Sequence, residues 1–277
     1  MASGRPIDHI VLAVRRLDDA AATYEALGFT LTPRARHDDH MGTSNRLAQF
    51  GDRSFIEVLE VDRPDTLMPH GPEAEPPTFS FGAHNRSAVG LREGASMLVF
   101  AGEDARADIA AFTRAGIPTF APFSFERQAR TPDGASATVA FTLAFVQFPE
   151  MARLAFFVCE NRAPEHFWKP AYQTHANGAA GIAAVTVASP AAERDAGLMG
   201  ALFGGEVTPW GDGWSVACGP SQMVRVLLPA SALALDPSLA GQDLSSALLV
   251  GVTLRGPARP IVAADAAHGM FLAWEEA

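Results

Sequence analysis

One pattern recurs along this chain and restricts its fold more than any other feature: a short alternating strand, a helix stopped by glycine, then three further strands. Residues 7–14, IDHIVLAV, are β-branched and apolar with period two, which predicts a strand. Leu17-Asp18-Asp19 opens a helix with acids where its dipole favours them, and Gly28 closes it. FTLTPRA, NRLAQF and SFIEVLEV supply three strand candidates. The pattern returns as ASMLVFAG, a helix over EDARADIAAFTRAG, then FAPFSFERQAR, SATVAFTLAFVQF and RLAFFVCEN. The two helix stops, LGF at 27–29 and AGI at 115–117, stand 88 residues apart. A third copy starts at GIAAVTVAS (181–189) and continues through AAERDAGLMGALFG to EVTPW, WSVACG and QMVRVLLP. The tail from ALLVGVTLRG to GMFLAWEEA supplies strands of a truncated fourth copy.

These repeats set the expected organisation. Residues 5–160 form a first pair of βαβββ modules (5–63 and 93–160) with a Pro-, Gly- and His-rich loop at 62–90 between them. Residues 161–178 connect to a third module and the truncated fourth at 179–277. The 277 residues carry a net charge of −10 with scattered arginines, which argues against a nucleic-acid or anionic-membrane partner. Two cysteines without a CxxC pair argue against a disulfide framework or a structural zinc site. The N-terminus lacks a signal-peptide core and no apolar run is long enough to span a membrane, so a cytoplasmic setting is expected. No phosphate-binding or dinucleotide glycine motif is present, and no nucleotide cofactor is expected.

The unit, with a histidine in its opening strand and a glutamate in its closing strand, resembles the vicinal oxygen chelate superfamily of glyoxalases, extradiol dioxygenases and bleomycin-resistance proteins. It is most similar to the larger glyoxalase-like domain proteins. The resemblance is carried by IDHIVLAVRRLDDAAATYEALGF, HMGTSN (40–45), SFIEVLEV, VGLREG (89–94), FSFER (123–127), TPDG (131–134) and FWKPAYQTHANGA (167–179). It implies an α+β fold in which paired βαβββ modules curl into a cup-shaped half-barrel. It also implies a divalent metal (Fe, Mn, Ni or Zn) inside the cup and a homodimer.

Carried over residue by residue, the ligand positions of the first module are His9 and Glu57. Imidazole and carboxylate suit such a metal. The equivalent second-module positions are Met97 and Phe157, and the third copy offers Ala184 with Val224 or Arg225. None of these is a metal donor of the expected kind. His40, or its neighbour His37, is the candidate to complete a two-histidine, one-carboxylate set. Glu57 and His40 are also the candidate proton carriers. Asn45, Arg127, Trp168 and His175 are candidate substrate contacts: an amide at the mouth, a cation after alternating phenylalanines, and two rings on the connector. Each has a plain alternative, because a lone histidine in an apolar strand is more often packed than ligating, and a strand glutamate more often solvated.

Three readings follow. The first is a metal-dependent lyase or isomerase acting on a small oxygenated molecule. The second is a metal-free protein that binds and sequesters a small molecule. The third is a ring-cleaving dioxygenase.

Overall fold

The computed structural model describes residues 4–130 and 136–276, with the side chains of 127–130 and 136 outside that description. The first module is β1 (Ile7–Val14), α1 (Leu17–Ala26), β2 (Ala35–Arg36), β3 (Thr43–Gln49) and β4 (Phe55–Val61). A helix α2 (Phe81–Leu91) leads to the second, formed by β5 (Gly94–Gly102), α3 (Ala105–Arg114), β6 (Phe123–Arg130), β7 (Ser136–Val146) and β8 (Ala155–Asn161). A short α4 (Pro164–Phe167) lies in the connector. The third module is β9 (Gly181–Ala188), α5 (Ala192–Phe203), β10 (Val207–Trp210), β11 (Gly213–Cys218) and β12 (Gln222–Leu227). After α6 (Pro229–Leu235), β13 (Leu248–Arg255) and β14 (Phe271–Glu275) are what the fourth module retains.

The strands make two sheets. The first two modules form an eight-stranded sheet in the order β2-β3-β4-β1-β5-β8-β7-β6, and the rest a six-stranded one in the order β10-β11-β12-β9-β13-β14. Opening and closing strands pair in parallel four times over: β1 with β4, β5 with β8, β9 with β12, and β13 with β14. Opening strands pair antiparallel within each sheet, β1 with β5 and β9 with β13. The fold is the mixed α+β half-barrel that the family resemblance implies.

Strand alternation splits the side chains between two cores. Ile10, Leu12 and Val14 of β1 join Leu98, Phe156, Val185, Val252 and the buried faces of α1, α3 and α5 in one cluster that spans both halves. Phe100 stacks on Phe203 across that seam at 3.5 Å. The opposite face of the first sheet carries a second cluster, with Val11, Phe55, Met97, Phe141 and Phe157, on the side of the cup.

Two local expectations shift. Residues 62–90 are not wholly loop, because α2 occupies 81–91. Its two glycines hide it from propensity, but Ser80 caps it by accepting from Ala83 N. Asn85 then locks it, donating to Phe81 O and accepting from Ser96 Oγ. FTLTPRA yields only the two-residue β2, since Pro33 has no N–H for a ladder. Thr32 instead bonds Leu47 twice, N to O and Oγ1 to N, each at 2.9 Å.

Candidate functional site

The cup is lined by fourteen residues, six of them phenylalanines, and its only polar wall is His9, His37, Asn45 and Glu57 among the described residues. Its cavity volume is about 50 Å³, a few times the ~10–15 Å³ one water needs.

His9 is brought to this wall by β1, paired at its Cα with Phe55 of β4 on one side and Val99 of β5 on the other. Its ring stacks on Phe55 at 4.2 Å and meets Phe157 edge-on at 5.4 Å, which fixes its plane. The β1–β5 register shifts between Ile7 and His9, leaving Asp8 without a partner on β5. Such a bulge re-aims a side chain. Asp8 Oδ1 accordingly lies 2.5 Å from His9 Nδ1. In the neutral ring, a carboxylate there places the proton on Nδ1 and leaves the lone pair on Nε2. Nε2 lies 3.7 Å from Glu57 Oε2.

Glu57 is 4 % exposed, deep in an apolar wall, and needs polar partners there. Asn45 Nδ2 donates to its Oε1 at 2.5 Å and to His37 Nε2 at 3.1 Å. His37 Nδ1 in turn donates to Thr43 Oγ1 at 2.8 Å. The 37–43 turn is clamped from outside by Arg63, whose Nη2 donates to His37 O and Thr43 O. Asn45 Oδ1 is buried with no hydrogen-bond partner among the described residues, an acceptor left over on the cavity wall. Cys159 also lines the cup, but burial, with Asp8 and Glu57 nearby, pushes its thiol well above the usual range, so it is no thiolate.

A family model described as a glyoxalase-like domain matches residues 7–203, most of the chain. The chain belongs to the glyoxalase-like domain family. It is thereby a vicinal oxygen chelate protein. No curated protein matches it in sequence. Among solved structures, a hypothetical protein from Staphylococcus aureus superposes with a TM-score of 0.71 at 14% identity, covering 98% of this chain and 99% of that one. A xylose isomerase-like TIM barrel/4-hydroxyphenylpyruvate dioxygenase fusion protein gives 0.51 at 14% identity, over 92% of this chain and 38% of that one. The Mn(II)-bound glyoxalase from Novosphingobium aromaticivorans gives 0.48 at 12% identity, over 93% and 67%, too distant to inform the chemistry. At these identities the likeness concerns the fold.

Within this glyoxalase-like cup, the structure brings His9, Glu57 and Asn45 together. His40 is exposed and absent from the lining, while His37 from the same HDDH run takes the inward position. His175 is buried outside the cavity, accepting from Thr30 N at 2.9 Å and donating to Gln49 O at 2.7 Å, so it pins the connector to the first module. Trp168 backs the wall through Phe55 and Phe167 without lining it. The side chain of Arg127 lies outside the described residues, as does TPDG at 131–134.

Asp8 escaped the sequence reading because strict alternation puts it on the face opposite His9. Phe167 and Phe81 escaped it because both sit in segments read as loops. Glu57 takes the inward position that its place in IEVLE suggested.

The superfamily implies a divalent metal, and the donor set tests whether it fits. His9 offers Nε2 and Glu57 offers Oε2, but the lone pair of His37 Nε2 is taken by Asn45. The second-module positions are Met97 and Phe157, in the same register with their partners as His9 and Glu57: Met97 opposite Ala155, Val99 opposite Phe157. No group of three His, Cys, Asp or Glu side chains stands in metal-holding geometry among the described residues. These residues do not make a closed metal site.

Proposed function

We propose that this protein catalyses proton transfer on a small oxygenated molecule, as an isomerase or lyase, with His9 as the base. The supporting observation is the line Asp8–His9–Glu57 inside an aromatic cup. Nε2 takes a proton from the carbon beside a substrate carbonyl. The electron pair of that C–H bond moves into an enediolate. Asp8 on Nδ1 holds the imidazole in the accepting tautomer and steadies the imidazolium that forms, which is worth most in a low-dielectric site. Glu57, positioned by Asn45, moves the hydroxyl proton between the two substrate oxygens. His9 returns its proton to the neighbouring carbon for isomerisation, or to a leaving oxygen for elimination. Asn45 Oδ1 is free to accept from a substrate hydroxyl.

The test is deuterium exchange. Small α-hydroxy aldehydes and ketones are incubated with the enzyme in D2O and loss of the C–H signal is followed by NMR. Exchange above background, abolished in His9→Gln and in Glu57→Gln, is the expected result.

A second reading rests on one observation, the phenylalanine lining with His9 stacked flat on Phe55: a protein that binds a small molecule without converting it. Saturable binding of the same compounds with no exchange in any of them would replace the first reading with this one.

A further inference from the structure

A second hollow opens between α2, β5 and the C-terminal half. It shares no lining residue with the cup. Its volume is about 90 Å³, and its walls include His84, Ser87, Leu91, Arg92, Arg153 and Leu248. It runs into a neighbouring hollow of about 210 Å³ through His84, Ser87 and Ala152, which line both. Neither is lined by any Asp or Glu. In a chain of net charge −10 this is a local reversal of sign.

Arg92 is the source of that reversal. Its Nη1 donates to Glu93 O and Gly269 O, and its Nη2 to Ala95 O and Leu249 O, all backbone carbonyls. Its Nε is buried with no hydrogen-bond partner among the described residues. No carboxylate among them pairs with it. The guanidinium lies over Gly94, where an added Cβ would collide with Nη1, so the backbone is built around this side chain. Burial, with Arg153 adding repulsion, pulls the Arg92 pKa down to about 10. It stays charged at neutral pH. Arg153 does have an acid, Asp243 at 3.2 Å, but that acid is 69% exposed and hence well screened.

A half-buried charge without a counter-charge is costly, and an anion offsets it. The rest of the hollow is apolar: Ala88, Ala95, Ala152 and Leu248, with Leu91 67% exposed at its rim. We propose that this seam hollow binds a small organic carboxylate with a short apolar body, its carboxylate held by Arg153 beside the charge of Arg92, whose own Nη hydrogens are already given to carbonyls. Both arginines also bond the C-terminal half, through Gly269 and Leu249 and through Asp243 and Ser246. The bound anion therefore braces the two halves.

Hexanoate is the probe, with hexanol as its uncharged control. Methyl NMR of Ala88, Ala95 and Ala152 reads site occupancy, and thermal unfolding reads linkage. Hexanoate is expected to shift those methyls saturably and raise the melting temperature, and hexanol to do neither. Arg153→Gln, a side chain 19% exposed and so tolerant of change, is expected to weaken binding about tenfold or more, the worth of one charged hydrogen bond. Ser87→Asp, which puts an acid into the lining at an exposed helix position, is expected to abolish it. No saturable methyl shift, an equal response to hexanol, or undiminished binding in both variants would each overturn the proposal. The readout is independent of the chemistry in the cup.

Discussion

Asp8 does more for the site than its place in the sequence suggests. It touches no substrate position but dictates which nitrogen of His9 carries the proton. Asp8→Asn can present its amide N–H to Nδ1, which forces the proton onto Nε2 and removes the base. Exchange is expected to fall about 100-fold, at the lower end of what a positioned base contributes. The apparent KM should stay near the wild-type value, because no ligand contact is lost. Equal losses in KM and turnover would place Asp8 in binding instead.

His84 makes a prediction that is independent of the cup. It is half-buried, donates through Nε2 to Ser96 O, and accepts at Nδ1 from Gln147. Desolvation lowers its pKa to about 4 from 6.5. The folded state thus resists a proton that the unfolded chain accepts. The neutral His84 contributes full stability above pH 6.5, and this is lost as pH falls from 6.5 through 4. The loss amounts to about 3 kcal/mol at 1.36 kcal/mol per pKa unit. Urea unfolding at pH 7 and pH 4 should show that extra loss in wild type and not in His84→Gln.

The places of His9 and Glu57 were legible at this scale through the family resemblance, which picks out those positions of the opening and closing strands. Asp8 was not, since period two fails at a bulge, and His37 could not be separated from His40 until the Arg63 clamp set the turn.

At the scale of elements, the repeat explains both the site and its singularity. The bulge beside His9 recurs in the second sheet, where the β9–β13 register shifts between Thr253 and Leu254 and leaves Ala183 unpaired. There Ala184 stands where His9 does. Thr186 pairs with Arg225 as Val11 pairs with Glu57. The scaffold is copied and the chemistry is not.

The register also settles the third-copy position as Arg225, which sequence alone left between two residues. Gly251 of β13 corresponds to Met97 of β5, and Phe271 fills the space: an added Cβ would lie 2.1 Å from its ring. Gly251→Ala is expected to destabilise by about 1–3 kcal/mol through overpacking, read as a lower urea midpoint with unchanged slope. No loss would mean that Phe271 swings aside freely. The strands and α1, α3 and α5 were legible from period and caps. α2 was not, because packing and a serine cap hold it against poor propensity.

Across the whole molecule, one apolar cluster joins both sheets, and polar ties reinforce it. Ile182 N donates to Asp52 Oδ2 and to Ser54 Oγ, each at 3.1 Å. Two sheets that share a core should unfold together. Urea transitions followed by Trp168 fluorescence on the first half and Trp214 fluorescence on the second, each in a variant with the other three tryptophans replaced by phenylalanine, are expected to coincide. Separate midpoints would show that the halves are independent domains. The repeats foretold a first pair of modules and a further unit at 179–277, but not that one apolar cluster joins them, since the outer faces read only as alternating strands.

The claim on which the functional account rests is that His9 faces the cup as an unprotonated Nε2 with its proton on Nδ1. Long-range 1H–15N NMR of the ligand-free protein, with His9→Gln to assign the resonance, reads this without any substrate. The expected spectrum at neutral pH shows a protonated Nδ1, its proton shifted strongly downfield by Asp8, and a bare Nε2. A proton found on Nε2 would contradict the account, because His9 would then have nothing with which to take a proton from a ligand in the cup.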